Sequence, residues 1–329
     1  MAFENITPPI SHRRVETNGI TLNCAELLPA SGSGPLVLMC HGFPESWYSW
    51  RHQFQAIADA GYHAVAVDMP GYGKSDKPYA IDQYNQKTLV DNMIGLIPAL
   101  GYETAIIMGH DWGAPTAWGA AEWHPDKITA VGVLSVPFSP RGDFAPLDML
   151  TKVFEGKFFY QLYFQEPGVA EGELGGDVRT FLRKFIYMGS GEGGAAAAAM
   201  ADQGPDADLL SALPDPDKMP SWLSDEDLNY YVSEFGGSGL RGPLNYYRNL
   251  NTTWRNTEGA PGKITQPAMF VAGEKDGVIA MSGDAHKNMP NFVTDLRINE
   301  LIPDIGHWTQ QEAPDQVNDA ITRFLGMLK

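Results

Sequence analysis

Along the first 140 residues, short apolar runs alternate with longer stretches in which apolar and polar positions mix. The runs are LVLMC (36–40), HAVAVD (63–68), TAIIMGH (104–110) and ITAVGVLSVP (128–137). Each is nearly continuous rather than alternating, as expected of a strand covered on both faces, and that is the habit of parallel sheets. The mixed stretches, WRHQFQAIADAG (50–61) and one ending near Leu100, predict the helical crossovers that parallel strands need. A third helix is expected from Trp112, where the small residues Gly113, Ala114, Ala117 and Gly119 permit close packing on the sheet and Pro115 fits the first turn.

After Arg141 the pattern changes to aromatic and charged helical segments, interrupted by PGVAEGELGG (167–176), GSGEGGAAAAAM (189–200) and LPDPDKMP (213–220). Strand and helix alternation returns with AMFVAGEKD (268–276) and VTDLRINELIP (293–303). Val317, Ile321, Phe324, Leu325 and Leu328 then share one face of a closing helix. The expected organisation is an α/β core in two parts, 1–141 and 257–329, separated by a helical cap or lid at 142–256. Open α/β sheets bind ligands beyond the carboxyl ends of their strands, which places the pocket between that edge and the lid.

Composition narrows the function. The 329 residues are 43% hydrophobic, enough for a substantial core, and 40 acidic against 23 basic residues give a formal charge of -17. Such a surface repels phosphate backbones and anionic bilayers, so no nucleic-acid partner is expected. The opening MAFENITPPISHRR has no apolar leader core and no later stretch reaches membrane-spanning length, so a cytoplasmic protein without membrane insertion is expected, as monomer or homodimer. Cys24 and Cys40 sit in strand-like contexts and read as small buried hydrophobes, with no disulfide and no metal site.

Candidate chemistry gathers at the strand ends. MGHDWGA (108–114) brackets Asp111 with Gly109 and Gly113 between a strand and a helix, the sequence of a sharp elbow that pushes the central side chain into a pocket. CHGFPESW (40–47) follows a buried strand and supplies the Phe43 amide as one donor for an oxyanion. The Trp112 amide, next to the nucleophile, is the second. Asp276 lies just past a strand end and His307 in the loop before the last helix, so the order along the chain is nucleophile, acid, histidine. Gly73-Lys74-Ser75 is not a phosphate loop, because Asp68 stands where the first glycine belongs, and Gly189, Gly191 and Gly194 form a lone glycine pattern without a surrounding strand-helix-strand unit. Phe43, Trp112, Phe138 and Trp308 around the elbow point to a dry apolar pocket, with Phe138 and Trp308 as substrate-binding candidates.

HGFPESW, GHDWGA, AGEKD and GHW together resemble the α/β-hydrolase superfamily, and within it the soluble epoxide hydrolases of mammalian and plant type, over essentially the whole chain. In the lid, FYQLYFQEPGVAEGEL (159–174) and LRGPLNYYRN (240–249) are similar to the segments that carry two ring-opening tyrosines in that family. The resemblance assigns those roles to Tyr160 and Tyr247, although helix spacing alone does not separate Tyr247 from Tyr246, and it places Gln161 near substrate. It implies an α/β-hydrolase fold with a helical cap and needs no cofactor and no metal. The implied activity converts a small lipophilic epoxide and water into a vicinal diol.

An aspartate nucleophile suits that reaction. A serine ether would have no carbonyl for water to attack, whereas an aspartyl ester does, and a carboxylate with a reference pKa near 3.9 needs no base before attacking. His307, oriented by Asp276, then activates the water that cleaves the ester. Two other functions fit parts of the pattern: a haloalkane or haloacid dehalogenase using the same aspartate, and a non-catalytic hydrophobic-ligand binder on the same fold.

Overall fold

In the computed structural model, which describes residues 9–193 and 203–329, the apolar runs form a single eight-stranded sheet of order β1-β2-β4-β3-β5-β6-β7-β8. The strands are β1 Ser11–Thr17, β2 Ile20–Leu27, β3 Leu36–Cys40, β4 His63–Val67, β5 Ala105–His110, β6 Ile128–Leu134, β7 Ile264–Gly273 and β8 Val293–Ile302. The pairs β1–β2 and β2–β4 are antiparallel, so β2 alone runs against the others; from β4 across to β8 the pairing is parallel. Every residue of β3, β4 and β5 is buried, as their unbroken apolar sequences predicted.

Three helices follow β3, β4 and β5: α1 (Phe54–Asp59), α2 (Gln86–Ala99) and α3 (Gly113–Trp123). The Asn85 side chain caps α2 by accepting the Thr88 amide at 3.2 Å. Helix α3 presses unusually close to the sheet, since a methyl group on Gly113 would collide with the Cys40 carbonyl at the end of β3. The closing helix, Pro314–Gly326, buries Val317, Ala320, Ile321, Phe324 and Leu325; Leu328, expected on the same face, lies beyond its end.

The described residues between β6 and β7 form short helices, among them Tyr160–Tyr163, Val178–Gly189, Asp225–Ser238 and Arg241–Arg248. Asp225–Ser238 opens with a capping box in which the Ser224 hydroxyl accepts the Asp227 amide and the Asp227 carboxylate accepts the Ser224 amide. The same carboxylate meets the Tyr48 hydroxyl at 2.6 Å and Arg51 at 3.2 Å, which ties this helix to the segment after β3. Gly194 and the alanine run lie outside the described residues.

Cys24 and Cys40 are free and buried, and burial pushes the Cys24 thiol up to about 12, far from nucleophilic use. Among the described residues no helix is long and apolar enough to cross a membrane. Parallel strands deliver their following loops to one edge, and the register sets Cys40 beside Gly109 and Gly109 beside Val133. The turns after β3, β5, β7 and β8 therefore meet where Phe43, Asp111, Asp276 and His307 stand.

Candidate active site

Asp111 occupies the left-handed region, with φ of 48°, a conformation that costs a non-glycine residue energy and that only a tightly determined turn retains. Three glycines make the turn sterically possible. A methyl on Gly109 would strike the Gly113 carbonyl, one on Gly113 the Cys40 carbonyl, and one on Gly42 the Asp111 side chain itself. With these contacts closed, the Phe43 amide donates to Asp111 Oδ1 at 2.7 Å. Trp112 opens α3, where the helical ladder leaves amides without an internal partner and thus free to face an anion.

His307 stands on the other side of the carboxylate, its Nε2 3.4 Å from Asp111 Oδ2. Its Nδ1 lies 3.0 and 3.1 Å from the two oxygens of Asp276, whose side chain is fully enclosed and also accepts the Val278 amide at 2.8 Å. The His307 backbone is equally constrained. Its amide donates to the Gly189 carbonyl at 2.7 Å, and its carbonyl accepts from Ser135 Oγ at 2.9 Å and His110 Nε2 at 2.7 Å.

A cavity of about 420 Å³ opens above this group, lined by Asp111, His307, Phe43, Trp308, Tyr160 and Tyr247 together with Phe154, Phe158, Phe159 and Phe185. The two phenol rings stand 5.9 Å apart at 77°. The Tyr160 phenol oxygen already accepts a hydrogen bond from the Gln161 side-chain amide at 3.1 Å, and the Trp112 ring meets the Tyr247 ring edge-on at 5.0 Å. An oxygen that accepts from a fixed donor points its own proton elsewhere, so the Tyr160 phenol is set up to donate. Tyr246 is excluded, because its buried hydroxyl donates to the Pro70 carbonyl at 2.9 Å.

The family profile described as alpha/beta hydrolase fold matches residues 35–314. Epoxide hydrolase A of Mycobacterium tuberculosis is 41% identical over 317 residues, covering 96% of this chain and 97% of that protein. The solved epoxide hydrolase from an endophytic Streptomyces superposes with a TM-score of 0.92 at 41% identity, covering 97% of this chain and 96% of the other. The chain belongs to the epoxide hydrolases of the α/β-hydrolase fold. Bifunctional epoxide hydrolase 2 of Rattus norvegicus is 38% identical over 319 residues, but this α/β-hydrolase chain spans 55% of its length.

Electrostatics in this epoxide hydrolase site follow from burial and the ion pairs. Burial alone would raise the Asp111 carboxyl; the hydrogen bond and charge of His307, with the Phe43 amide, outweigh it and hold the group below its ordinary value. Burial alone would depress His307, yet the charge of Asp276 and its contacts with Asp111 hold it well above the usual histidine range. Burial raises Tyr160 and Tyr247 far into the protonated range, against the opposing pull of their Gln161 and Trp112 donors.

Two sequence expectations change. Phe138 does not line the cavity; it packs edge-on against Trp118 at 5.6 Å, below the turn after β6, because the Trp118 indole is fixed to the Val136 carbonyl at 3.0 Å. Gln161 points at the Tyr160 hydroxyl rather than lining the cavity, so its contact is with the phenol.

Sequence reasoning also passed over Glu45, although it stands inside HGFPESW. Its buried carboxylate accepts the Gly42 amide at 3.1 Å and Gln311 Nε2 at 2.9 Å, and lies 2.9 Å from His110 Nδ1. Glu45 thereby joins the loop after β3, the end of β5 beside Asp111 and the segment that follows His307. The available signal was a carboxylate amid aromatic residues directly after a buried strand, where a charge needs partners.

Proposed function

We propose that this chain hydrolyses lipophilic epoxides to vicinal diols in two half-reactions joined by an ester on Asp111. In the first, an Asp111 oxygen bonds to one epoxide carbon as the ring carbon–oxygen bond breaks. Tyr160 and Tyr247 hydrogen-bond the ring oxygen and one gives it a proton as charge develops. In the second, His307 takes a proton from water, hydroxide adds to the Asp111 carboxyl carbon, and the Phe43 and Trp112 amides hold the oxyanion until the diol departs. The proton His307 takes up balances, through solvent, the one the phenol gave up.

The observation that carries this reading is the disposition of Asp111: in an elbow, 2.7 Å from an amide and 3.4 Å from an imidazole, in one cavity with two phenols. Trp308 argues against halide as leaving group. Its indole N–H is committed to the Ile186 carbonyl at 2.6 Å, so this ring, which lines the cavity, offers no donor to a departing halide.

In the same reading residues 1–141 and 257–329 form the hydrolase core and 142–256 the cap, and the protein works in the cytoplasm as a monomer or homodimer. The decisive experiment is repeated turnover of a lipophilic epoxide in heavy-oxygen water, followed by peptide mass analysis. Label should enter the Asp111 carboxylate, and Asp111→Ala should yield no diol. Label confined to the diol would mean that water attacks the epoxide directly, and the ester scheme would be wrong.

A further inference from the structure

The helix that carries Tyr160 is four residues long, Tyr160–Tyr163, and an isolated helical turn has no stability of its own in water. Its orientation must come from outside it. Gln165, two residues past its end, supplies a bridge: its side-chain nitrogen donates to the Gln161 carbonyl at 2.7 Å and to the Tyr247 carbonyl at 3.2 Å. The first acceptor belongs to the residue whose own amide orients the Tyr160 hydroxyl. The second belongs to the other tyrosine. Arg248 answers from the opposite segment, its Nε donating to the Phe164 carbonyl at 3.0 Å while its guanidinium is buried against Glu171 at 2.7 Å. The two tyrosine-bearing segments thus hold each other by one side chain apiece.

We propose that Gln165 is a positioning residue that fixes the gap between the two phenols and so governs epoxide opening, without lining the cavity itself. This role rests on Tyr160 and Tyr247 acting as the ring-opening acids. Proton donors must sit within a fraction of an ångström of the ring oxygen as it leaves, whereas ester hydrolysis depends on His307 and the Phe43 amide, which Gln165 does not touch. Loss of the bridge should therefore separate the two half-reactions, which a general loosening of the fold would not do.

The test uses Gln165→Met, which keeps the length and removes both donors, and Gln165→Asn, which stays polar but falls short of both carbonyls. In a His307→Gln background, rapid quench and mass analysis of the Asp111 peptide read ester formation with a styrene-type epoxide. With His307 intact, single turnovers read ester decay. The expected result is ester formation slowed by about ten- to a hundredfold in both variants, with decay and melting temperature retained. Equal slowing of both steps, or an unchanged rate of ester formation, overturns the proposal. Absence of any ester with Gln165 in place overturns the aspartyl scheme itself, and this role with it.

Discussion

Removing the two phenol hydroxyls is the most direct way to test the cap side of the site. Tyr160 and Tyr247 both line the cavity, so Tyr→Phe deletes one phenol proton while keeping the ring in place. A hydrogen bond to a developing charge contributes about 1.5–3 kcal/mol, and each 1.36 kcal/mol is a factor of ten in rate, so either single substitution should slow ester formation by roughly 10- to 150-fold. If the two phenols act independently, the double variant should lose about 10²- to 10⁴-fold. Ester decay should hardly move, because no phenol touches the oxyanion. Stopped-flow fluorescence of Trp308, which lines the cavity, separates the two phases in single turnovers. The Tyr160 substitution also strands the Gln161 side-chain N–H, at about 1–3 kcal/mol of stability, so melting curves must accompany the kinetics. A double variant that still forms ester within tenfold of the native rate would refute the assignment, as would one in which decay slows in parallel.

Three further outcomes follow from the same geometry. His307→Gln should trap the aspartyl ester, seen as substrate mass added to the Asp111 peptide; diol release at the native rate would remove His307 from the second half-reaction. Gly113→Ala forces a methyl into the Cys40 carbonyl and should cost about 1–3 kcal/mol or more, with a melting temperature lowered by about 1–2 °C per kcal/mol and a reduced ester burst; native values for both would contradict the close helix packing. Glu234 is pushed up to about 7 from 4.5, first by burial and then by the charge of Asp68, with Lys74 and Lys77 offsetting only part. Because the folded state binds that proton more tightly than the unfolded chain, stability falls as pH rises through the window from 4.5 to about 7; Glu234→Gln should raise the melting temperature at pH 8 and match the native protein near pH 4, and a constant difference across pH would show that Glu234 does not titrate there.

The sheet was legible because its central strands are buried on both faces and therefore write themselves as unbroken apolar runs. The elbow was legible for a related reason: a left-handed Asp111 requires glycine neighbours, and Gly109 and Gly113 stand in the sequence as the trace of that backbone. Asp276 and His307 were placed by their positions after strands. What the sequence could not show is direction. Tyr246 and Tyr247 are adjacent on one short helix, and only the three-dimensional structure turns one toward the Pro70 carbonyl and the other toward the cavity. Phe138 failed by the same route, since an aromatic residue after β6 can face either the pocket or Trp118. Glu45 was hidden because its partners, Gly42 in the loop after β3, His110 at the end of β5 and Gln311 in the helical turn after His307, lie far apart in the chain and share no periodicity.

In the proposed scheme, pairing an aspartate nucleophile with a histidine base gives the two half-reactions an order. In the resting site His307 lies between two carboxylates, Asp276 at 3.0 Å and Asp111 at 3.4 Å, and both favour its protonated form, which is useless as a base. A protonated imidazole does no harm to the first step, since Asp111 is already ionised and the proton for the leaving oxygen comes from the cap. Ester formation then erases the Asp111 charge. With one of its two stabilising anions gone and burial still opposing the cation, His307 releases its proton more readily at the moment when a base is required. A serine nucleophile, neutral before attack and dependent on histidine from the outset, could not generate that sequence, so in the proposed scheme the carboxylate at position 111 sets the timing of the base as well as the chemistry of the bond.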